Sequence, residues 1–436
     1  MEREAINALI AWKNKKQRKP LIMKGARQVG KTWLIKHFAE TEYEDSIYIS
    51  FDRDKRMVRV FEPDLDPHRI IRDLEDIYQK KIDPNRTLVI FDEIQELPVA
   101  LTSLKYFYED APQYQIVCAG SLLGIALHEG TSFPVGKVEF LEMFPLSFPE
   151  FLIAMGETHY ANLLKDGAPE KFRLYHEEYV SLLKKYYYIG GMPAAVDSFV
   201  QNRDFAEVRR IQQDICLMYD QDFSKHAPPS LVPRIRMLWD SIPAQLAKDN
   251  KKFVYNLVST GARAREYEAA ILWLLDTGIA LKANRVAHPG HPLKAFVDMK
   301  AFKLFACDIG LLCAMSELTM DMLFERDDLF SDFKGALTEQ YVMQQLVSTS
   351  EYTPYYWSKD NARSEVDFLI QVGKRIVPIE AKAGINLRAK SLRIFIEKYK
   401  SEIAIRTSLA DYKISGNVID IPLYAISMID EISFIL

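Results

Sequence analysis

The sequence predicts an α/β protein built in successive domains, the first a parallel sheet covered by helices. Three stretches carry that expectation. An apolar run, a glycine-spaced loop and an amphipathic stretch follow one another in "PLIMKGARQVGKTWLIKHFAE" (Pro20–Glu40). A second apolar run, "RTLVIFDEIQELP" (Arg86–Pro98), leads into two adjacent acids. Far along the chain, "EVDFLIQVGKRIVPIEAK" (Glu365–Lys382) holds two strand-like runs around Gly373, with acids along both. Strands buried on both faces read as continuous apolar runs, which is how the first two stretches read.

The 436 residues suffice for two to four domains, and 48% hydrophobic with 27% charged residues is ordinary for a globular protein. A formal net charge of −4 says nothing in favour of non-specific binding of nucleic acid, so any such contact needs a local patch. Cys118, Cys216, Cys307 and Cys313 lack C-x-x-C spacing. That argues against structural zinc and fits a reducing compartment. "MEREAINALIAWKNKKQRKP" has no apolar signal core, and no apolar run approaches a membrane span. A cytoplasmic protein without a membrane partner is the expectation. Proline-bearing breaks, chiefly "SKHAPPSLVP" (Ser224–Pro233), together with "SDFKG" (Ser331–Gly335), divide the chain into 1–155, 156–228, 229–332 and 333–436.

The first domain opens with a strand at Leu21–Met23. Gly25, Ala26, Arg27, Gln28, Val29, Gly30, Lys31, Thr32 and Trp33 then form a phosphate-binding loop and the start of a helix. Such a loop converges backbone N–H groups on phosphate oxygens at a helix N-terminus. Lys31 would neutralise the β- and γ-phosphates of ATP, and Thr32 would ligate Mg²⁺. The run Thr87–Phe91 delivers Asp92 to a strand's C-terminal end, where ligands of parallel sheets sit. Asp92 is placed to hold the Mg²⁺ and Glu93 to activate the attacking water. Further strands follow at Asp45–Phe51, at Tyr114–Ser121 and within Gly136–Phe151. Ser121 reads either as a sensor of the γ-phosphate or as a structural turn serine.

"GARQVGKT", "FPLSFPEF" and "YYIGGMPAAV" (Tyr187–Val196) give the chain a specific likeness. It resembles the AAA+ superfamily, among P-loop NTPases with a catalytic glutamate (the ASCE class), and in particular prokaryotic ATPases carrying these segments. The resemblance implies that the Ser121 strand lies between the loop strand and the acid-bearing strand. Members usually carry Gly-Arg before the last core strand, where this chain has Gly136-Lys137. Lysine there keeps the charge and loses the bidentate fork.

The middle of the chain reads as helices followed by a hairpin around "HPGHP", which the resemblance implies is winged-helix-like. Arg263 and Arg265 would then open a recognition helix for DNA, the other reading being a packing adaptor with exposed arginines. Arg209 and Arg210 read as solvated helix-face residues or as fingers toward a neighbour's phosphate. His288 and His291 lack spaced partners and do not read as metal ligands.

In the last domain, Glu339 lies inside a helical run, Asp367 on a strand, and Glu380 and Lys382 on one face of the next strand. These four residues would supply an oxygen-rich Mg²⁺ site with an accompanying lysine. The order resembles the PD-(D/E)xK fold, a restriction-endonuclease-like α/β domain; the other reading of Glu380 and Lys382 is a charged strand edge that guards against pairing. From Lys374 to Lys413 there are ten Lys or Arg against four Asp or Glu, a candidate track for a phosphate backbone. The expectation is an ATP-hydrolysing protein coupled to DNA through a nuclease-like domain. The alternative is an ATP-driven switch whose last domain only holds a protein partner.

Overall fold

The computed structural model describes residues 1–120, 134, 136–167, 169–324, 331–359, 364–385 and 389–430. The chain divides into two compact units, one of Arg3–Phe144 with Asp276–Ile279 and one of Met1–Glu2, Pro145–Leu275 and Ala280–Leu436.

The first unit holds a five-stranded sheet of β1 (Leu21–Lys24), β2 (Asp45–Ser50), β3 (Thr87–Asp92), β4 (Gln115–Ala119) and β5 (Glu139–Glu142). The order is β2-β3-β4-β1-β5, and every pairing is parallel. The strand leading toward Ser121 therefore lies between the loop strand and the acid-bearing strand; Ser121 itself is outside the described residues. All six residues of β3 are buried, as expected of a strand covered on both faces. One side of the core is aromatic: Phe51 and Phe61 meet Phe91 edge-on, with ring centroids 5.5 and 5.8 Å away. Edge-to-face packing of this kind adds to simple area burial.

Two contacts in this unit are set by glycines. A Cβ on Gly25 would lie 2.1 Å from the Met143 carbonyl oxygen, and its φ of +135° disfavours any side chain. Gly278, at φ +75°, belongs to the four-residue segment 276–279 that packs on the loop. A Cβ there would lie 2.9 Å from the Ala26 nitrogen.

The second unit combines helices with an eight-stranded mixed sheet. Its strands are β6 (Ala280–Val286), β7 (Val297–Ala306), β8 (Tyr355–Ser358), β9 (Glu365–Val372), β10 (Arg375–Ala381), β11 (Ala404–Ser408), β12 (Lys413–Ser415) and β13 (Val418–Pro422). They run in the order β12-β13-β11-β10-β9-β8-β6-β7. The expected hairpin is present as antiparallel β6 and β7, but β6 also pairs in parallel with β8. The hairpin thus extends the sheet of the last domain. Among the described residues no helix is long and apolar enough to cross a membrane.

The "GGMP" segment is tightly held in this unit. Asp308, fully buried, accepts from the Gly191 N–H at 2.6 Å and from the Leu311 N–H at 3.1 Å. It thus caps the helix Ile309–Met315 and anchors the loop.

Candidate functional site

In the first unit, β1 ends at Lys24 and the helix Lys31–Glu42 begins directly after the loop, with Gly30 at φ +94°. Lys31 is buried, and its ammonium donates to the Gly25 and Ala26 carbonyls at 2.8 Å each. Burial pushes this amine down to about 8, while Glu93 and Asp92 oppose the shift. Thr32 Oγ1 donates to Asp92 Oδ2 at 3.0 Å, so loop and acid-bearing strand meet.

Glu93 follows at φ +51°, a left-handed backbone that a glutamate adopts at a cost in strain. Its carboxylate accepts from Gln95 Nε2 at 2.5 Å. Val29 is buried, Arg27 is exposed, and Trp33 is half exposed and stacks on His37 with centroids 5.0 Å apart.

Sequence reasoning missed three residues that shape this site. Tyr48, from β2, donates to the same Asp92 oxygen as Thr32; burial first and the Asp92 bond second push its phenol well up. Arg3 is buried and donates to the Val29 carbonyl at 2.8 Å and the Phe144 carbonyl at 2.6 Å, fastening the loop from behind. Gln95 is the third. A hydroxyl on the strand neighbouring β3 was a readable signal for Tyr48; nothing local marks Arg3.

The loop suits a triphosphate on its own geometry. It offers a buried cation whose hydrogen bonds go to neutral carbonyls, at a helix N-terminus. Thr32 and Asp92 supply neighbouring oxygens to which a Mg²⁺ accompanying the nucleotide would bind.

In the second unit, the four residues expected of the last domain converge, but with added company. Glu339 on the helix Ser331–Thr349 is buried. Its Oε1 takes Lys251 Nζ at 2.7 Å and its Oε2 takes Lys303 Nζ at 2.9 Å. Lys303, from β7, has a side chain with no exposure and also meets Glu365 Oε1 at 2.6 Å. Glu380 Oε1 pairs with Lys382 at 2.7 Å, while its Oε2 is buried without a hydrogen-bond partner among the described residues. Asp367 Oδ2 accepts from the Ala381 N–H at 2.8 Å.

Burial alone would raise the Glu339 carboxyl, but Lys303 and Lys251 outweigh it and hold it down to about 2. Asp367 goes the other way, pushed well up by burial and then by Glu339 and Glu380. Among the described residues no three His, Cys, Asp or Glu side chains are grouped to hold a metal ion. Glu339, Asp367, Glu380 and Lys382 lie together, yet the set does not fit a divalent cation as arranged. Both Glu339 oxygens and one Glu380 oxygen are committed to ammonium groups.

The basic stretch is thinner than its composition. Arg375 pairs with Glu402 at 3.2 Å, Arg393 with Glu397 at 3.6 Å, and Arg406 with buried Asp420 at 2.6 Å. Arg209 is committed to the fold, donating to the Leu318 carbonyl at 2.9 Å with its guanidinium 4.3 Å from the Tyr188 ring centroid. Arg210, Arg263 and Arg265 are exposed. Lys137 pairs with Glu109 at 3.0 Å.

Residues 17–152 match the family model of an AAA domain. Residues 180–321 and 334–426 match two domains of unknown function, DUF8612 and DUF4143. No curated protein sequence matches the chain. Among solved structures, the chain is similar to the Walker-type ATPase PABY2304 of Pyrococcus abyssi, at 15% identity and a TM-score of 0.45, over 72% of this chain and 95% of that one. It is also similar to the ORC1 protein of Aeropyrum pernix in complex with DNA (12%, TM-score 0.25, 72% and 91%) and to Cdc6p of Pyrobaculum aerophilum (11%, 0.25, 72% and 91%). At TM-scores below 0.5 these likenesses fix neither fold nor function. The family match, the strand order and the loop together make the N-terminal unit a AAA-type P-loop ATPase domain.

Proposed function

We propose that this chain binds and hydrolyses ATP in its N-terminal domain and that turnover acts on its C-terminal nuclease-like domain, with DNA as that domain's ligand. The observation that carries the ATPase reading is the 3.0 Å bond between Thr32 and Asp92, with Glu93 next in sequence and Lys31 in the loop. The loop amides and Lys31 hold the β- and γ-phosphates and orient the terminal phosphorus for in-line attack. Glu93 Oε2 takes the proton of the attacking water once Gln95 releases it. Tyr48 and Thr32 fix Asp92, so that the acid does not rotate away from the nucleotide. A Mg²⁺ accompanying the nucleotide would be held by Thr32 and Asp92 and, when bound, would supply charge neutralisation for the phosphates.

Glu93→Gln keeps the shape of the side chain and removes its basicity. ATP binding should persist while phosphate release falls about a hundredfold to ten-thousandfold. Unchanged turnover would remove Glu93 as the base.

DNA binding is supported by the basic stretch Lys374–Lys413, although part of that charge is paired internally. Fluorescence anisotropy with labelled duplex at low salt tests it; a salt-dependent affinity is expected, and none at low salt would set DNA aside. The pairing of Glu339 with two lysines favours a second reading, an ATP-driven switch whose last domain holds a protein partner. Absence of DNA affinity together with retained ATP hydrolysis would select it.

A further inference from the structure

Four carboxylates, Glu339, Glu365, Asp367 and Glu380, gather within the second unit around three ammonium groups. Acids brought this close repel one another and need compensating positive charge. A divalent cation with one lysine is one way to supply it. This chain holds three lysines instead, and two of them come from outside the stretch that carries the acids. Lys303 lies on β7, and Lys251 lies on the segment after the helix Val232–Leu246. That segment is tied to β7 by the Phe253 N–H, which donates to the Phe302 carbonyl at 2.8 Å, so the two lysines arrive together.

We propose that Lys251 and Lys303 stand in for a divalent cation, so that the C-terminal cluster assembles without metal and does not cleave nucleic acid.

The geometry leaves a cation little to bind. Mg²⁺ requires near-octahedral oxygen coordination, and each Glu339 oxygen already faces an ammonium group at 2.7 or 2.9 Å. Among the described residues Glu339, Asp367 and Glu380, the unpartnered Glu380 oxygen and the Asp367 carboxylate, which accepts from the Ala381 N–H, are the donors not taken by an ammonium group, too few for a six-coordinate ion. To admit a metal, Glu339 would have to exchange both partners, and Lys303 has no route to solvent. Its side chain is wholly buried, its ammonium 5.0 Å from the Tyr356 ring centroid and 6.0 Å from that of Phe368. A metal entering beside it would face an ammonium fixed by the sheet. The inference is independent of ATP hydrolysis, which belongs to the other unit.

The test uses the full, nucleotide-free chain with Mn²⁺ as probe, followed by electron paramagnetic resonance and by thermal melting. The wild type should bind no Mn²⁺ that Glu380→Ala removes, and EDTA should leave its melting midpoint unchanged. It should nick no plasmid in Mg²⁺ or Mn²⁺. A Mn²⁺ site weakened tenfold or more by Glu380→Ala, or plasmid cleavage abolished by it, would overturn the proposal. Lys303→Met adds a second arm. Its melting midpoint should fall and then rise again with Mn²⁺, while that of the wild type stays put. A folded Lys303→Met protein that responds to Mn²⁺ no more than the wild type would count against the stand-in role. The wild-type measurements decide the matter even if that variant does not fold.

Discussion

The loop at Lys31 and the cluster at Lys303 use the same materials to opposite ends. Each sets a buried lysine near acidic side chains. In the first unit the partners are neutral: Lys31 is held by carbonyl oxygens, and Asp92 by the hydroxyls of Thr32 and Tyr48. Charge is thereby positioned without being cancelled, and remains available to a ligand. In the second unit lysines and carboxylates meet directly at 2.6 to 2.9 Å, and the charge is cancelled internally. Neutral partners keep a charged site open, while ion pairs close it.

The widest gap between the two should appear in stability. Lys303→Met leaves Glu339 and Glu365 without a shared buried partner and should cost about 3–5 kcal/mol in denaturant unfolding. Lys31→Met removes a cation whose burial is unfavourable, and should leave stability unchanged or raise it. Equal losses in the two variants would break the comparison.

A smaller effect is expected in ATP affinity against pH. Lys31 titrates near 8 in the free protein, whereas the triphosphate needs it protonated. Below that value the lysine is already charged and affinity should be flat. Above it, a proton must be taken up on binding, and affinity should fall by up to about tenfold per pH unit. Isothermal titration from pH 6.5 to about 9.5 would show the bend, together with proton uptake on its alkaline side. A flat profile would mean that Lys31 is charged throughout.

The smallest change concerns Gln95. If its bond restrains Glu93, Gln95→Ala should raise basal turnover by about fivefold, the equivalent of one hydrogen bond near 1 kcal/mol. A fall in steady-state phosphate release would instead make Gln95 a positioning group for the base.

What the sequence made legible follows from distance along the chain. Loop, strand and helix at Leu21–Glu42 are contiguous, and the acids at 92 and 93 end their own strand, so local pattern suffices. The order β2-β3-β4-β1-β5 agrees with the expectation drawn from the resemblance. Lys251 and Lys303 were not legible as partners of Glu339, because 88 and 36 residues separate them from it and only tertiary packing brings them together. The hairpin was legible as a hairpin, but strand periodicity does not say what covers its outer edge, and β8 does. The charge excess of Lys374–Lys413 was legible as composition, whereas its pairing with Glu402, Glu397 and Asp420 depends on folding.

Gly278 bears on how the ATPase domain can be handled in isolation. A fragment ending near residue 155 would contain every motif expected of the nucleotide site and still lack the segment 276–279, whose Gly278 rests against Gly25 and Ala26. The domain is discontinuous, so a truncated chain is expected to leave its loop bare on that side. A tag or spacer inserted at this turn, normally a forgiving place, would press on the loop backbone proposed to cradle the phosphates.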